Sequence, residues 1–520
     1  MAFDEAGVAA EMGLPVSRAQ LLELQAELAL AAELLSERCL YESAKWAAEA
    51  LNGLGVGDEP EDAGDEPMDT GRYRFADPLW TPAEARKYVL AKTLFDCKEF
   101  DRVGTVLASA TSNKCLFLRL YARYISGEKK REEQSEVILG PLDGEPTANK
   151  QIVTIVGELE QYLRSTTAQD PFLLYLYGIV LRKHKCEKQA LEALLRSVNL
   201  FPYNWGAWQE IISSVATIDR LPATLALAPK HLMTSIFEVV ANQELFQVQE
   251  RVYDLLTQID AVFPEFMFLK IQRAILSSHL LDYPDAERLF DEVLNVDPHR
   301  LDSMEVYSNI LYVTERRAKL AYLAQLASAT DKFRPETCCI IANYCSLQSE
   351  HEKAVVYYRR ALTLNRNFLG AWTLMGHEYI ELKNIRAAIE SYRRAVGISN
   401  KEVRAWYGLG QAYEVIEMYN YSFFYYQRAA ALKPYDYRMW QALGNCFEKH
   451  DRPMEAIKAY KRALSVTEVD PLLMRKLAEL AEKVGDATMA ATYLKMYREH
   501  VARESARGAE PAAAGAVTPR

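Results

Sequence analysis

The chain has no Cys-x-x-Cys pair, no Walker phosphate loop, no Gly-x-Ser-x-Gly turn and no His-Glu-x-x-His. The missing spacings exclude the usual signatures of structural zinc, nucleotide hydrolysis, serine hydrolysis and zinc peptidases. His377-Glu378 starts like the last of these but no second histidine follows. Cysteines 39, 97, 115, 186, 338, 339, 345 and 446 show no paired spacing and read as reduced thiols of a nuclear or cytoplasmic protein. Gly53-x-Gly55-x-Gly57 follows no strand and opens no helix, so it does not read as a phosphate cradle. No run of 18 apolar residues occurs, so no membrane partner is expected. The start MAFDEAG has neither a basic region nor a long apolar core, and no secretory leader is expected. Basic residues are dispersed, which argues against a nucleic-acid partner. Catalytic residues, metal ligands and cofactor are all read as none.

Charge is biased but local. The 61 Lys and Arg against 71 Asp and Glu give a net charge of −10. Seven acids and no base lie between Asp58 and Asp69, which leaves about −3 for everything else. The acidity therefore belongs to one Gly- and Pro-rich stretch, read as a flexible loop over 53–80.

What the chain does have is a period. Trp372, Trp406 and Trp440 stand 34 residues apart, followed by Gly376, Gly410 and Gly444, then Tyr379, Tyr413 and Phe447. Ala388, Ser422 and Ala456 come next, then Tyr392, Tyr426 and Tyr460, then Ala395, Ala429 and Ala463. This is the tetratricopeptide (TPR) pattern of two antiparallel helices per repeat. It predicts an all-α TPR superhelix, an α-solenoid of stacked hairpins, because one hairpin cannot cover its own apolar face. The same step reaches Val240, Ala274, Ser308, Ala342 and Ala478, so eight repeats are expected over 233–504. Two more are expected over 171–232, the second shortened around Pro222 and Pro229. Residues 18–52 read as a helical hairpin and 81–168 as irregular TPR-like hairpins with a polar loop at 127–149. Residues 1–17 and 505–520 read as disordered ends.

In TPR proteins the first helix of each repeat lines the concave face. The position after the small residue there reads Asn309, Asn343, His377, Gln411 and Asn445, with Glu378 beside it and Glu414 and Glu448 three residues on. A row of amides suits an extended peptide, since each can bond a backbone C=O and N–H at once. Glutamates beside them favour a cationic residue on that peptide. The lysine clamp of co-chaperone TPRs is absent: its positions hold Phe268, Asp302, Glu336 and Gly370, and carboxylate-rich ligands are expected to be disfavoured.

Several phrases go beyond the generic repeat. YARYISGEKK (121–130), YLYGIVLRK (175–183), WGAW (205–208), SNILYV (308–313), ETCC (336–339), LGAWTLMGHEY (369–379) and RAWYGLGQAYE (404–414) resemble the anaphase-promoting complex subunit 8 family. The resemblance implies a non-catalytic scaffold in a multi-subunit ubiquitin ligase of mitotic progression and exit, in nucleus and cytoplasm. It implies a homodimer through the N-terminal repeats at 81–168, and contacts with sister TPR and platform subunits. It also implies a central groove that docks the basic N-terminal motif of a WD40 coactivator, with Asn343 and Glu378 holding the motif's arginine and Asn309 and His377 flanking. The competing expectation is a free TPR adaptor that binds an extended peptide outside this complex. An enzyme with a TPR arm would need a catalytic domain for which the repeats leave no room.

Overall fold

A computed structural model describes residues 17–55, 80–134, 149–166, 169–215, 220–245, 250–466 and 470–508. The expected disorder of 1–16, 56–79 and 509–520 lies outside these residues. The described chain is helical from Arg18–Glu37 to Ala487–Gly508 and divides into two compact units, residues 1–316 and 317–520.

In the second unit a helix at Arg317–Thr330 precedes five helix pairs. They are Pro335–Leu347 with His351–Leu364, Leu369–Glu381 with Ile385–Ile398, Val403–Val415 with Tyr419–Leu432, Tyr437–Lys449 with Pro453–Val466, and Pro471–Val484 with Ala487–Gly508. Glycine sets the distance between partners. A Cβ on Gly376 would stand 2.4 Å from the Tyr392 ring, one on Gly410 2.5 Å from Tyr426, and one on Gly444 2.5 Å from Tyr460. Tyr392 is also pressed from the following repeat, where a Cβ on Gly408 would come within 2.5 Å. These tyrosines and Tyr358 are wholly buried.

The turn inside each pair is as regular as the core. Leu281, Glu315, Ser349, Lys383, Glu417 and Asp451, one per 34 residues, have φ between 54° and 67°. Each first helix ends on this left-handed residue. The next N–H then reaches back to a carbonyl of the last turn, as Asn384 does to Tyr379 (2.8 Å), Met418 to Tyr413 (2.9 Å) and Arg452 to Phe447 (3.0 Å). None of the six is the glycine or asparagine that this conformation favours.

The first unit holds a feature that periodicity did not announce. The hairpin Arg18–Glu37 and Tyr41–Asn52 packs on the first helices of repeats far along the chain. Trp46 stacks on Trp205 at 4.9 Å and meets Phe266 and Phe268 edge-on at 5.4 and 5.8 Å. Ser43 accepts the Gly206 N–H (3.0 Å), while Glu49 pairs with Arg300 (3.1 Å) and Lys45 with Asp302 (2.5 Å). Arg38 lies 3.9 Å over the Phe172 ring and pairs with buried Asp170. Residues 53–55, expected to begin a flexible loop, belong to this packing. Gly55 N–H donates to the Val262 carbonyl (3.1 Å), and Phe266 leaves no room for a Cβ on Gly53.

Three other boundaries differ from expectation. The last helix, Ala487–Gly508, runs past 504 into the tail expected to be flexible from 505. The polar loop placed at 127–149 is helix as far as Gln134, in Asn113–Gln134. Its polar residues are held laterally, Lys130 by Asp101 (2.8 Å) and Arg131 by Glu128 (2.9 Å), and Gly127 makes room for the Asn149 carboxamide. Ser17, assigned to the disordered end, caps the first helix in a reciprocal bond pair with Gln20. In the shortened repeat the second helix is Arg220–Leu227, with Pro222 in the first turn, where its missing N–H costs nothing.

Gly376→Ala should force the Tyr392 ring to move and lower stability by about 1–3 kcal/mol. Gly397→Ala, whose Cβ meets nothing within 4 Å, should leave stability unchanged or slightly raised. Equal melting temperatures for the two variants would contradict the glycine–tyrosine contact.

Candidate functional site

The tyrosines that fill the second unit's core end in hydroxyls that reach the row of groove residues. Tyr358 donates to the Asn343 carbonyl oxygen, and the Tyr392 hydroxyl meets His377 Nδ1 at 2.8 Å. Tyr426 donates to Glu414 (2.8 Å), and Tyr460 donates to Asn445 (2.7 Å) and Glu448 (3.0 Å). One ladder of core tyrosines thus underpins the polar positions of four successive repeats. An amide oxygen engaged from below turns the NH2 group the other way, so Asn445 presents donors.

His377 follows the same logic. Burial, and then the charge of Arg404, push its pKa down to about 4. The ring is therefore neutral at pH 7. In the tautomer whose Nδ1 accepts from Tyr392, the ring hydrogen sits on Nε2 as a donor.

The predicted residues separate into two zones. Gln411, Glu414, Asn445 and Glu448 line one groove of about 740 Å³, with Tyr407 and Val415. Asn343 and Glu378 are instead buried, 2% and 5% exposed. Both Glu378 oxygens are occupied, one by the Ser346 hydroxyl (2.7 Å) and one by His351 Nδ1 (2.8 Å). Glu378 therefore does not stand open to solvent as its place in the sequence suggested. Asn309 is half-buried in Met304–Val313 and belongs to the first unit.

Sequence reasoning missed the cations. Lys449, Lys476 and Lys483 line the same groove. Lys449 pairs with Glu414 (2.7 Å), and this hydrogen bond holds the lysine pKa above its ordinary value. Lys476 bonds Asn445 (2.7 Å) and lies 3.9 Å from Glu448. The expectation of a groove hostile to carboxylates rested on the co-chaperone positions alone. These lysines come from elsewhere, the end of one first helix and the body of the next, so that test overlooked them.

Comparison with known proteins gives the family. A family model described as anaphase promoting complex subunit 8 / Cdc23 matches residues 23–274, and tetratricopeptide models match 335–368 and 376–414. The anaphase-promoting complex subunit CDC23 of Saccharomyces cerevisiae is 36% identical over 441 residues, covering 71% of this chain and 70% of that protein. This chain belongs to the subunit 8/Cdc23 family. The Arabidopsis thaliana subunit 8 is 41% identical, covering 69% of this chain and 66% of that protein. A human cell division cycle protein 23 homolog is 38% identical, covering 61% and 51%. The chain thus spans about two thirds of the plant relative and about half of the human one. The crystal structure of MamA protein matches 35% of this chain at TM-score 0.32 and 22% identity, too low to add to what the helices show.

Within this Cdc23-family groove, the depressed His377 pKa sets a pH dependence. A histidine at 6.5 when unfolded and about 4 when folded binds its proton better in the unfolded state. Its contribution is intact above pH 6.5 and is lost as pH falls towards 4. His377→Gln should give a shallower loss of stability over that window in urea titrations. An identical slope in both proteins would contradict a ring held neutral in the folded chain.

Proposed function

We propose that this chain is a non-catalytic scaffold subunit of the anaphase-promoting complex, a ubiquitin ligase of the cell cycle, acting in nucleus and cytoplasm. Its second unit would dock an extended basic peptide, the N-terminal motif of a WD40 coactivator. Family membership supports the scaffold role. The observation that carries the docking is the tyrosine-backed row of donors at His377 and Asn445, beside the unpartnered amide of Gln411. Such a row suits the carbonyls of an extended backbone.

The charges give the peptide a direction. Its arginine would reach Glu378 by replacing His351 on the second oxygen, which exchanges an imidazole for a guanidinium and makes the bond charge-assisted. The stretch beyond would run past Gln411 and Asn445 towards Lys449, Lys476 and Lys483, where an acidic side chain or terminal carboxylate is welcome. A free adaptor would use the same groove, and nothing in the groove separates the two. Family membership favours the complex.

We also propose a homodimer through the N-terminal repeats, with other TPR and platform subunits as further neighbours. Val89 and Leu90, 64% and 51% exposed on the helix Pro82–Asp96, are the apolar surface that supports this reading.

Asn343→Ala with Glu378→Ala should weaken a fluorescent basic-motif peptide by about 10- to 100-fold, since each removes a bond to a charged group worth roughly 1.5–3 kcal/mol. Unchanged affinity in a folded double variant would sink the arginine assignment. For the dimer, Val89→Glu with Leu90→Glu should give a monomer by light scattering at an unchanged melting temperature. Deleting the N-terminal third is a poorer test, because Trp46 and its hairpin cover the core of residues 171–300. A dimer that survives the double substitution would refute this interface.

A further inference from the structure

The 34-residue period also repeats on the outward side of the second unit. Four successive second helices carry Arg360, Arg394, Arg428 and Arg462 at one register, four residues before each helix ends, preceded by Arg359, Arg393, Gln427 and Lys461. Arg359, Arg360, Arg393, Arg428 and Arg462 are exposed, and none has a carboxylate of the described residues within ion-pair distance. Other surface arginines of the unit do pair, as Arg404 does with Glu402 (2.7 Å) and Arg452 with Glu455 (2.6 Å).

Aromatic rings hold the guanidiniums in place. Arg360 lies 5.4 Å over Phe333, Arg428 5.5 Å over Phe424 and Arg462 4.8 Å over Trp440. Arg359 donates to the Tyr379 hydroxyl of the next repeat (2.7 Å), and Arg393 makes the same bond to Tyr413. A stacked guanidinium keeps its edge donors available and loses less freedom on binding than a loose side chain. Five exposed arginines thus stand without an acidic partner among the described residues.

We infer that this arginine ladder is a second docking surface, separate from the groove, for an acidic Asp- and Glu-rich protein segment lying across the outer helices. Rungs recur once per repeat along the second helices. Carboxylates at such intervals would meet successive guanidiniums. Nucleic acid is the other polyanion to weigh. Basic residues are otherwise dispersed along the chain, so the ladder lacks the wider basic field that a polyphosphate requires.

The test uses the full chain and a fluorescent synthetic peptide rich in Asp and Glu, followed by polarisation at low and raised salt. Binding that weakens with salt is expected. Arg360→Gln, Arg428→Gln and Arg462→Gln together should weaken it by about tenfold or more, as loss of several charge-assisted contacts requires. The triple Arg→Lys variant should fall between, because lysine keeps charge but loses the planar fork. With Lys449→Gln, Lys476→Gln and Lys483→Gln, which remove the groove's own cations, the arginine-dependent binding should persist. Three results would overturn the proposal: no binding by the unaltered chain, equal binding by the triple Gln variant, or tighter binding of a single-stranded RNA oligonucleotide than of the peptide. A triple variant that only melts lower, in a chain that never bound the peptide, would mean that the arginines serve packing alone.

Discussion

The contact between a glycine of the first helix and a tyrosine ring of the second governs the second unit. It sets how closely the two helices approach, and Tyr392, pinched between Gly376 and Gly408, carries the same constraint into the next repeat. The phenol is long enough to cross the core and emerge among the groove residues. Its hydroxyl then bonds His377, Glu414 or Asn445 according to the repeat. Packing and recognition are thus coupled through one side chain. A phenylalanine there would fill the same volume yet leave the amides and imidazole free to turn, and a row of donors in fixed orientation would become a row of rotors.

The first unit solves a different problem. Its repeats are less regular, and the N-terminal hairpin supplies what they lack. Trp46 lies on Trp205, Phe266 and Phe268, rings drawn from helices more than 150 residues downstream, and Arg300 and Asp302 hold the hairpin from further still. Aromatic clusters of this kind contribute beyond their buried area. The face that could have taken a peptide here is filled by the chain itself. The tyrosine-backed groove of the second unit remains lined by polar groups with unused donors.

What could be read from the sequence follows from what repeats. Trp, Gly and Tyr at fixed intervals reveal helix pairs because each type has one place where it fits. The left-handed turns are just as periodic but invisible, because Leu281, Glu315, Ser349, Lys383, Glu417 and Asp451 share no chemistry. Their conformation is imposed by the helices they join. Docking of the hairpin was equally hidden, since Trp46 carries no mark of a partner so far away in sequence. In the groove, Gln411, Glu414, Asn445 and Glu448 were found by register alone, while Lys476 and Lys483 escaped because they reach in from the following repeat. Burial of Glu378 was beyond sequence too. It depends on Ser346 and His351, a helix pair earlier, closing over it.

A repeat protein multiplies every surface residue that shares its register, so periodicity by itself cannot distinguish a binding face from a habit of the consensus. Satisfaction of the repeated group can. The core tyrosines are satisfied twice, by a glycine and by a groove residue, and their role closes within the chain. Glu414 and Glu448 have lysine or tyrosine partners and spare lone pairs, so they can share a ligand without standing as bare charges. The outer arginines are the opposite case. Their guanidiniums lie over Phe333, Phe424 and Trp440, while their edges, where the hydrogen-bonding capacity lies, meet no acid among the described residues. A cation with a satisfied face and an idle edge is already ordered for a partner, which lowers the entropic cost of meeting one. That difference, rather than the number of arginines, is why the outward ladder reads as a surface for another protein.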